Sequence, residues 1–382
     1  MTHRFPARLI LPALAIVLSA CGETATPEKA ILTSDDPQTT PAIIPAVTLP
    51  STDVVGPAIT QTIPPSAPMP GLVYTTLSQN KGMVGPWIVE ADGRGKQLGN
   101  KPDPALSPDR SQLLYSQDGD IWLLDLLTGT EKNLTNTYDL VEEYCQWWPA
   151  RPGLIVFHYR PRNDVQPAAG FLSTIKTDGS NYYILDGQIG ANSPAALSPD
   201  GRSIAYDRDG QPWLFTYGAG RIPIFPGSFQ EHFRIAVNPV WSPDSRQVAW
   251  QLYGLSGGAD ESGATAILSL DGMAVLLLHR YPITTGSGES NDHLAWSADG
   301  RWLAVANQTG LTEAGIASLW VMHPDGSEEY HLGTGDFPVW SPDGATLVYQ
   351  TEDGVFAIKA GEWIPFPVTL PETARVIDWV TF

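Results

Sequence analysis

The chain has 382 residues, 42% of them hydrophobic, so a sizeable core can be buried and disorder throughout is excluded. Acidic residues (41) outnumber Lys and Arg (22), giving a formal charge of −19, and no nucleic-acid partner is expected of so acidic a surface. Two Cys exclude a disulfide framework or a Cys-based zinc site, while 36 Gly, 34 Pro, 13 Trp and 13 Tyr favour turns and aromatic strands over helices.

Residues 1–20 read as a targeting signal. Arg4 and Arg8 precede an apolar run, Leu9 to Leu18, which is too short to span a bilayer comfortably. The run ends in Leu18-Ser19-Ala20-Cys21, which resembles the lipobox of bacterial lipoproteins. The resemblance implies a lipid on the Cys21 thiol and cleavage that leaves Cys21 as the first residue. An ordinary secretory signal with a chance cysteine is the competing reading. From Gly22 to Pro70, ten prolines are mixed with Thr, Ala and Ser. Residues 21–70 are therefore expected to form an extended or disordered tether. At roughly 3 Å per residue its outer reach is on the order of 150 Å. The expected setting is the cell envelope, with the anchor in the outer face of the cytoplasmic membrane or in the outer membrane. The folded part then lies outside the cytoplasm.

One phrase recurs through residues 71–382. It reads PALSPDR from Pro104, PAALSPDG from Pro194, PVWSPDS from Pro239, LAWSADG from Leu294 and PVWSPDG from Pro338, with a degenerate QWWPARPG from Gln146. Aligned, Leu106, Trp147, Leu197, Trp241, Trp296 and Trp340 fall in one column. The spacing of about 40 to 55 residues is that of propeller blades. Each phrase is followed by a short alternating strand, such as Ile204-Ala205-Tyr206, and then by a second, such as Trp213 to Phe215. A tight turn such as Asp178-Gly179 often follows, because both its positions tolerate positive φ. A short last strand ends the unit, so each unit supplies strands A to D, with the column residue on A. Pro and Asp in the phrase suit a turn after strand A, and the column Trp residues read as packing between blades.

The ends complete the count. Gly71 to Leu98 holds strands B (Leu72 to Thr75), C (Trp87 to Glu90) and D but no A, while Arg375 to Phe382 holds a lone strand with Trp379 in the column position. The expectation is an all-β, seven-bladed β-propeller closed by the C-terminal strand, with no exposed edge. The phrase and its downstream strands resemble the repeats of the TolB family, relatives of WD-repeat propellers. TolB carries an α/β domain before its propeller where this chain has the tether, so that family's partner is not expected here. The same repeats precede the hydrolase domain of prolyl-oligopeptidase-like peptidases, a domain not expected in a chain ending at Phe382.

Candidate chemistry is sparse. Gly254-Leu255-Ser256-Gly257-Gly258 fits G-x-S-x-G, but a nucleophile there needs a strand followed by a helix, and Ala264 to Leu270 reads as a strand. Asp207-Arg208-Asp209-Gly210 opens like a calcium loop, yet the position needing Glu is Gly218, so a polar hairpin is expected. No His pair has metal-ligand spacing, and no metal or cofactor is expected. Cys145 sits among Tyr144, Gln146 and Trp147 and reads as a small buried hydrophobe.

Topology is more informative. In an up-and-down blade the A–B and C–D turns share one face and the B–C and D–A connections share the other. The long insertions gather in the second set, where binding on a rigid scaffold usually resides. Those loops are expected to present Tyr138, Glu142, Glu143, Arg160, Arg162, Asp164, Phe229, Glu231, His232, Asp260, Glu289 and Asp292 around the channel mouth. The leading reading is a monomeric binding or scaffolding module for a protein, peptide or glycan. The alternative is a glycan-active or hydrolytic propeller using acids at the mouth, for which two carboxyls about 5 to 9 Å apart are the sign. For the anchor, Cys21→Ser is expected to release the protein from the membrane fraction or leave it unprocessed. Detergent partitioning and N-terminal sequencing check this, and unchanged behaviour in both refutes lipidation.

Overall fold

In the computed structural model the described residues are 69–78, 82–102, 104–162, 170–189, 194–208, 210–224, 235–253, 262–271, 273–282, 293–307, 317–371 and 373–380. The chain divides into two units, Met1–Pro45 and Ala46–Phe382, and every described residue belongs to the second.

The described residues form strands and turns without a helix, arranged as a seven-bladed β-propeller. Each blade is antiparallel in the order A–B–C–D. The inner strands A, from blade 2 to blade 7, are Ala105–Leu106, Leu140–Trp147, Ala196–Leu197, Ile235–Trp241, His293–Trp296 and Asp336–Trp340. Blade 1 takes its strand A, Ala374–Trp379, from the other end of the chain. That strand pairs with strand B of blade 1, Leu72–Ser78, placing Leu72 opposite Trp379 and Tyr74 opposite Val376. Gly71 marks the joint. It has a φ of +89°, and a Cβ there would collide with the Val380 carbonyl, whose own N–H donates to Gly71 O at 2.9 Å. Strands B and C of blade 1 are longer than the sequence pattern suggests. B runs to Ser78, and C begins at Gly82, where Gly82, Gly85 and Pro86 break the alternation that marks a strand.

Strand alternation puts one side chain in two into each gap between blades. The gaps hold separate apolar clusters. One joins blades 4 and 5 through Leu214, Trp241, Val248 and Leu268, and another closes blade 7 on blade 1 through Val348, Ala357, Leu72, Tyr74 and Val376. The column tryptophans add a directional tie. Trp147, Trp241, Trp296 and Trp340 donate their indole N–H to the backbone carbonyls of Ala105, Ala196, Val240 and Ala295, each on strand A of the preceding blade, at 2.9 to 3.1 Å. Blade 4 carries Leu197 in the column and has no indole to give. Blade 3 ties it instead, with Trp148 Nε1 donating to Gly201 O at 2.7 Å and Gln146 Nε2 to Ala195 O at 2.7 Å. Trp379 departs from the pattern and donates within its own blade, to Pro70 O at 2.9 Å.

The repeated phrase is a turn built around its serine. Ser107, Ser198, Ser242, Ser297 and Ser341 each donate to the Asp two residues on, at 2.5 to 2.7 Å. Each serine oxygen also accepts the N–H five residues on, at 2.9 Å. The serine bond first, then a backbone N–H, hold the Asp109 and Asp343 carboxyls below the usual range. Asp207 and Arg208 end strand B of blade 4 (Ser203–Arg208), and strand C (Gln211–Thr216) pairs back on it as the expected hairpin. Residues 254–258 lie outside the described residues, and Ser262–Ser269 after them is a strand.

Deleting residues 374–382 would unpair strand B of blade 1 and expose Leu72 and Tyr74, both buried. Each such side chain contributes about 1.5 to 3 kcal/mol, against a typical domain stability of about 5 to 15 kcal/mol. The truncated chain is expected to be insoluble or rapidly proteolysed. A truncation that melts with the intact protein in calorimetry would contradict closure.

Candidate functional site at the channel mouth

The strand bounds place every connection on a face. A–B and C–D connections stay short, as at 107–111 and 217–219, whereas the other set includes 224–234, 254–261, 283–292 and 308–317. Of the sequence-derived candidates, Tyr138 is on a D–A connection of this face and 95% exposed. Arg162 follows strand B of blade 3 (Leu154–Pro161) and reaches the neighbouring blade, its Nη2 donating to Asp118 O at 2.8 Å. Gly119 permits that approach, since a Cβ there would meet the Arg162 guanidinium.

Three candidates differ from the loop reading. Glu142 and Glu143 lie within strand A of blade 3 and Arg160 within strand B, with Glu142 opposite Tyr159, Glu143 opposite His158 and Val141 opposite Arg160. Their polar character breaks the apolar alternation, which is why they resemble a loop in the sequence. Arg160 Nε lies 3.3 Å from Glu143 Oε1. Asp164, Phe229, Glu231, His232, Asp260, Glu289 and Asp292 lie outside the described residues, as does Cys21.

Glu142 is 1% exposed. Thr137 Oγ1 donates to Oε1 at 2.8 Å and Thr135 Oγ1 to Oε2 at 3.2 Å. Burial, opposed by those two bonds and reinforced by Asp120, pushes its carboxyl up to about 7. Asp120 in turn accepts from Thr137 N–H at 2.9 Å and Asn133 Nδ2 at 2.7 Å. Asp120 is near enough to Glu142 to help raise its carboxyl. On the next strand His158 is buried and pushed down to about 4 by that burial, so its neutral ring accepts Ala195 N–H at Nε2, 3.3 Å.

A ring of residues that the motif search passes over sits three places before the column residue. In blades 3, 5 and 7 these are Tyr144, Asn238 and Phe337, with φ of 54°, 53° and 50°. At each, strand A slips register against strand B, between Glu143 and Gln146, Val237 and Val240, and Asp336 and Val339. A bulky side chain in the left-handed region costs about 1 to 3 kcal/mol and persists only when the surroundings enforce it. The equivalents Pro194 and His293 in blades 4 and 6, and Val376 in blade 1, also line the mouth.

Two clefts open there and adjoin at Pro104, which lines both. The larger, about 540 Å³, takes Glu142, Glu143, Tyr144 and Gln146 from blade 3 and Ser116 to Gly119 from blade 2. The smaller, about 390 Å³, lies between blades 6, 7 and 1 and is lined by His293, Phe337, Arg375 and apolar neighbours. The Arg375 guanidinium is 3.5 Å from the Phe337 ring centre, and the His293 ring is 4.2 Å from it on centroids. His293 Nδ1 is 2.7 Å from Asp336 Oδ1, which also accepts Phe337 N–H at 2.7 Å. Only the alignment of each blade three places before its column residue could have revealed this ring. Among the described residues no three His, Cys, Asp or Glu side chains converge as metal ligands do.

No protein-family description and no curated protein matches the sequence. Among solved structures, an oligogalacturonate lyase in complex with manganese is similar over 72% of this chain and 82% of its own, at 15% identity and a TM-score of 0.55. Hydrazine synthase from Kuenenia stuttgartiensis is similar over 80% and 99%, at 13% identity and a TM-score of 0.50. TolB from Acinetobacter baumannii is among the neighbours, over 70% of this chain and 64% of its own, at 18% identity and a TM-score of 0.47. Likeness at these identities is a likeness of fold.

Glu142 generates a pH signature. Below its ordinary value of 4.5 the carboxyl is neutral in folded and unfolded chains alike. As pH rises from 4.5 to about 7 the unfolded chain releases this proton first, so stability falls, and the full cost remains above 7. Glu142→Gln removes the charge; its carbonyl oxygen accepts from one threonine and its NH2 donates to the hydroxyl oxygen of the other. The melting-temperature difference, variant minus wild type, is expected to grow across that interval and then level off. A difference independent of pH in calorimetry would count against a buried titrating carboxyl.

Proposed function

We propose that this chain is a lipid-anchored, extracytoplasmic β-propeller that binds a protein, peptide or glycan through its B–C/D–A face. One observation carries the reading: the long connections and both mouth clefts fall on the same face of a closed, rigid ring. Cys21 supplies the anchor in this reading, residues 21–70 the reach, and the ring a surface that binding need not reorganise. The polar groups at the mouth support binding over hydrolysis, since they are engaged with one another: Glu143 with Arg160, Glu142 with two threonines, His293 with Asp336. The His293–Asp336 pair favours a second reading, in which an oriented imidazole acts as a base toward a substrate in the smaller cleft.

The test compares two sets of substitutions in the full chain. Replacing Tyr138, Arg162, Phe229 and His232 with Ala is expected to lower capture of envelope proteins or glycans at least tenfold. The melting temperature should barely move, since Tyr138 and Arg162 are exposed and surface substitutions usually cost under about 0.5 kcal/mol each. Asp271→Ala and Asp325→Ala, in C–D turns of the opposite face, are expected to leave capture intact. Loss of capture only with the second set would put the ligand on the other face.

A further inference from the structure

Ring closure leaves each blade one outward edge, its strand D. A bare edge offers a row of unpaired N–H and C=O groups, and proteins blunt it with charge, proline or shortness. The outer strands of six blades follow that rule. Gly95–Pro102 carries Lys96 and Lys101, Glu131–Asn133 is three residues long, and Tyr183–Ile189 carries Asp186. Gly220–Pro223 carries Arg221 and a proline, Glu329–Thr334 begins with a glutamate, and Pro365–Pro367 has a proline at each end. Blade 5 departs from it. Its strand D, Ala274–Pro282, has nine residues and is the longest strand among the described residues. From Met273 to Leu278 the sequence holds no charge, no proline and no polar side chain. None of the six is buried, and Met273, Ala274 and Leu276 are exposed. One edge of this strand pairs with Ser262–Ser269, and among the described residues no strand pairs with the other. Every described strand already belongs to a blade, so a strand to cover it comes from another molecule.

The ends of the run choose that molecule. Asp271 stands two places before Met273, and Arg280 two places after Leu278. Antiparallel pairing of two identical strands sets an acid of one copy toward a base of the other at both ends, around an apolar centre. Parallel pairing would set acid beside acid and base beside base. Elsewhere a chain of charge −19 repels its own copies, so an uncharged edge is where contact costs least. We infer that two copies of this chain pair through strand D of blade 5, antiparallel about a two-fold axis, joining two four-stranded blades into one continuous sheet. The backbone supplies the hydrogen bonds, and Ala274 and Leu276 supply apolar contact. A dimer then replaces the monomer expected from the sequence. The pairing lies on the rim of the ring and holds whichever face takes the ligand.

The test is sedimentation of the full chain in density-matched detergent, with micelles in excess so that a shared micelle does not mimic association. Wild type is expected to pass from monomer to dimer at micromolar concentrations. Ala274→Lys and Leu276→Lys, which charge this edge as other edges are charged, are expected to weaken association about tenfold or more. Ile222→Lys, at an exposed position on the outer strand of blade 4, should leave it unchanged. Single cysteine substitutions at Met273, Ala274, Val275, Leu276 and Leu277 test the geometry. Only a residue beside a two-fold axis meets its own copy, so oxidation is expected to cross-link one or two neighbouring positions and spare the rest. Cross-linking along the whole run means parallel pairing or random association and overturns the inference. A dimer that survives both lysine variants overturns it too. So does a wild type that stays monomeric, which leaves the edge to an extended segment of a different protein. If the melting curve of a lysine variant shows that it fails to fold, the cysteine series decides.

Discussion

The ring is closed by one blade that takes strands from both ends of the chain, with Ala374–Trp379 beside Leu72–Ser78. An open ring would present one unpaired strand edge and one uncovered apolar face, each an invitation to aggregation. Closure also makes every blade an interior blade. The apolar cluster between blades 7 and 1 is then built like that between blades 4 and 5, although it joins Leu72 and Tyr74 to Val348 and Ala357 from the far end of the chain. Long-range pairing of this kind is slow to form and strongly cooperative once formed.

Given closure, the spacing between blades is set by the inner strands. Apolar packing has no direction, but an indole N–H does, and four column tryptophans each fix one strand A to a carbonyl on the one before. Where the column holds Leu197, the tie is supplied from the other side by Trp148 and Gln146. The mouth inherits this rigidity. Strained backbone at Tyr144, Asn238 and Phe337 is sustainable because the strands on either side of each bulge are held by the ring. Bulges next to functional sites re-aim side chains, and these three stand at one height around the channel.

Electrostatics follows from the same frame. A chain this acidic gains from spreading its charge, yet two titratable groups of blade 3 are buried beside the mouth, and both are held near neutrality by desolvation rather than by a partner of opposite sign. Burial raises the Glu142 carboxyl, between its threonines, to about 7, and His158 stays unprotonated while accepting a backbone N–H from the next blade. In the smaller cleft the Arg375 guanidinium lies over the Phe337 ring, one of several cation–π pairs among the described residues.

The repeat, the blade count and the closure by Trp379 were legible in the sequence, because period, turn chemistry and the missing and orphan strands are all one-dimensional facts. The sidedness of the long connections was legible too, since it follows from strand order alone. The mouth was not. Glu142, Glu143 and Arg160 read as loop because polar residues interrupt the alternation, and only pairing against strand B shows that they are strand. His293, Asp336, Phe337 and Arg375 carry no motif, and Asp336 stands about one blade of sequence from both His293 and Arg375. Sequence by itself determined the number and order of the blades, which depend on local pattern. Which side chains meet at the channel depended on register slips and on ring closure, and those are decided only when distant strands pair.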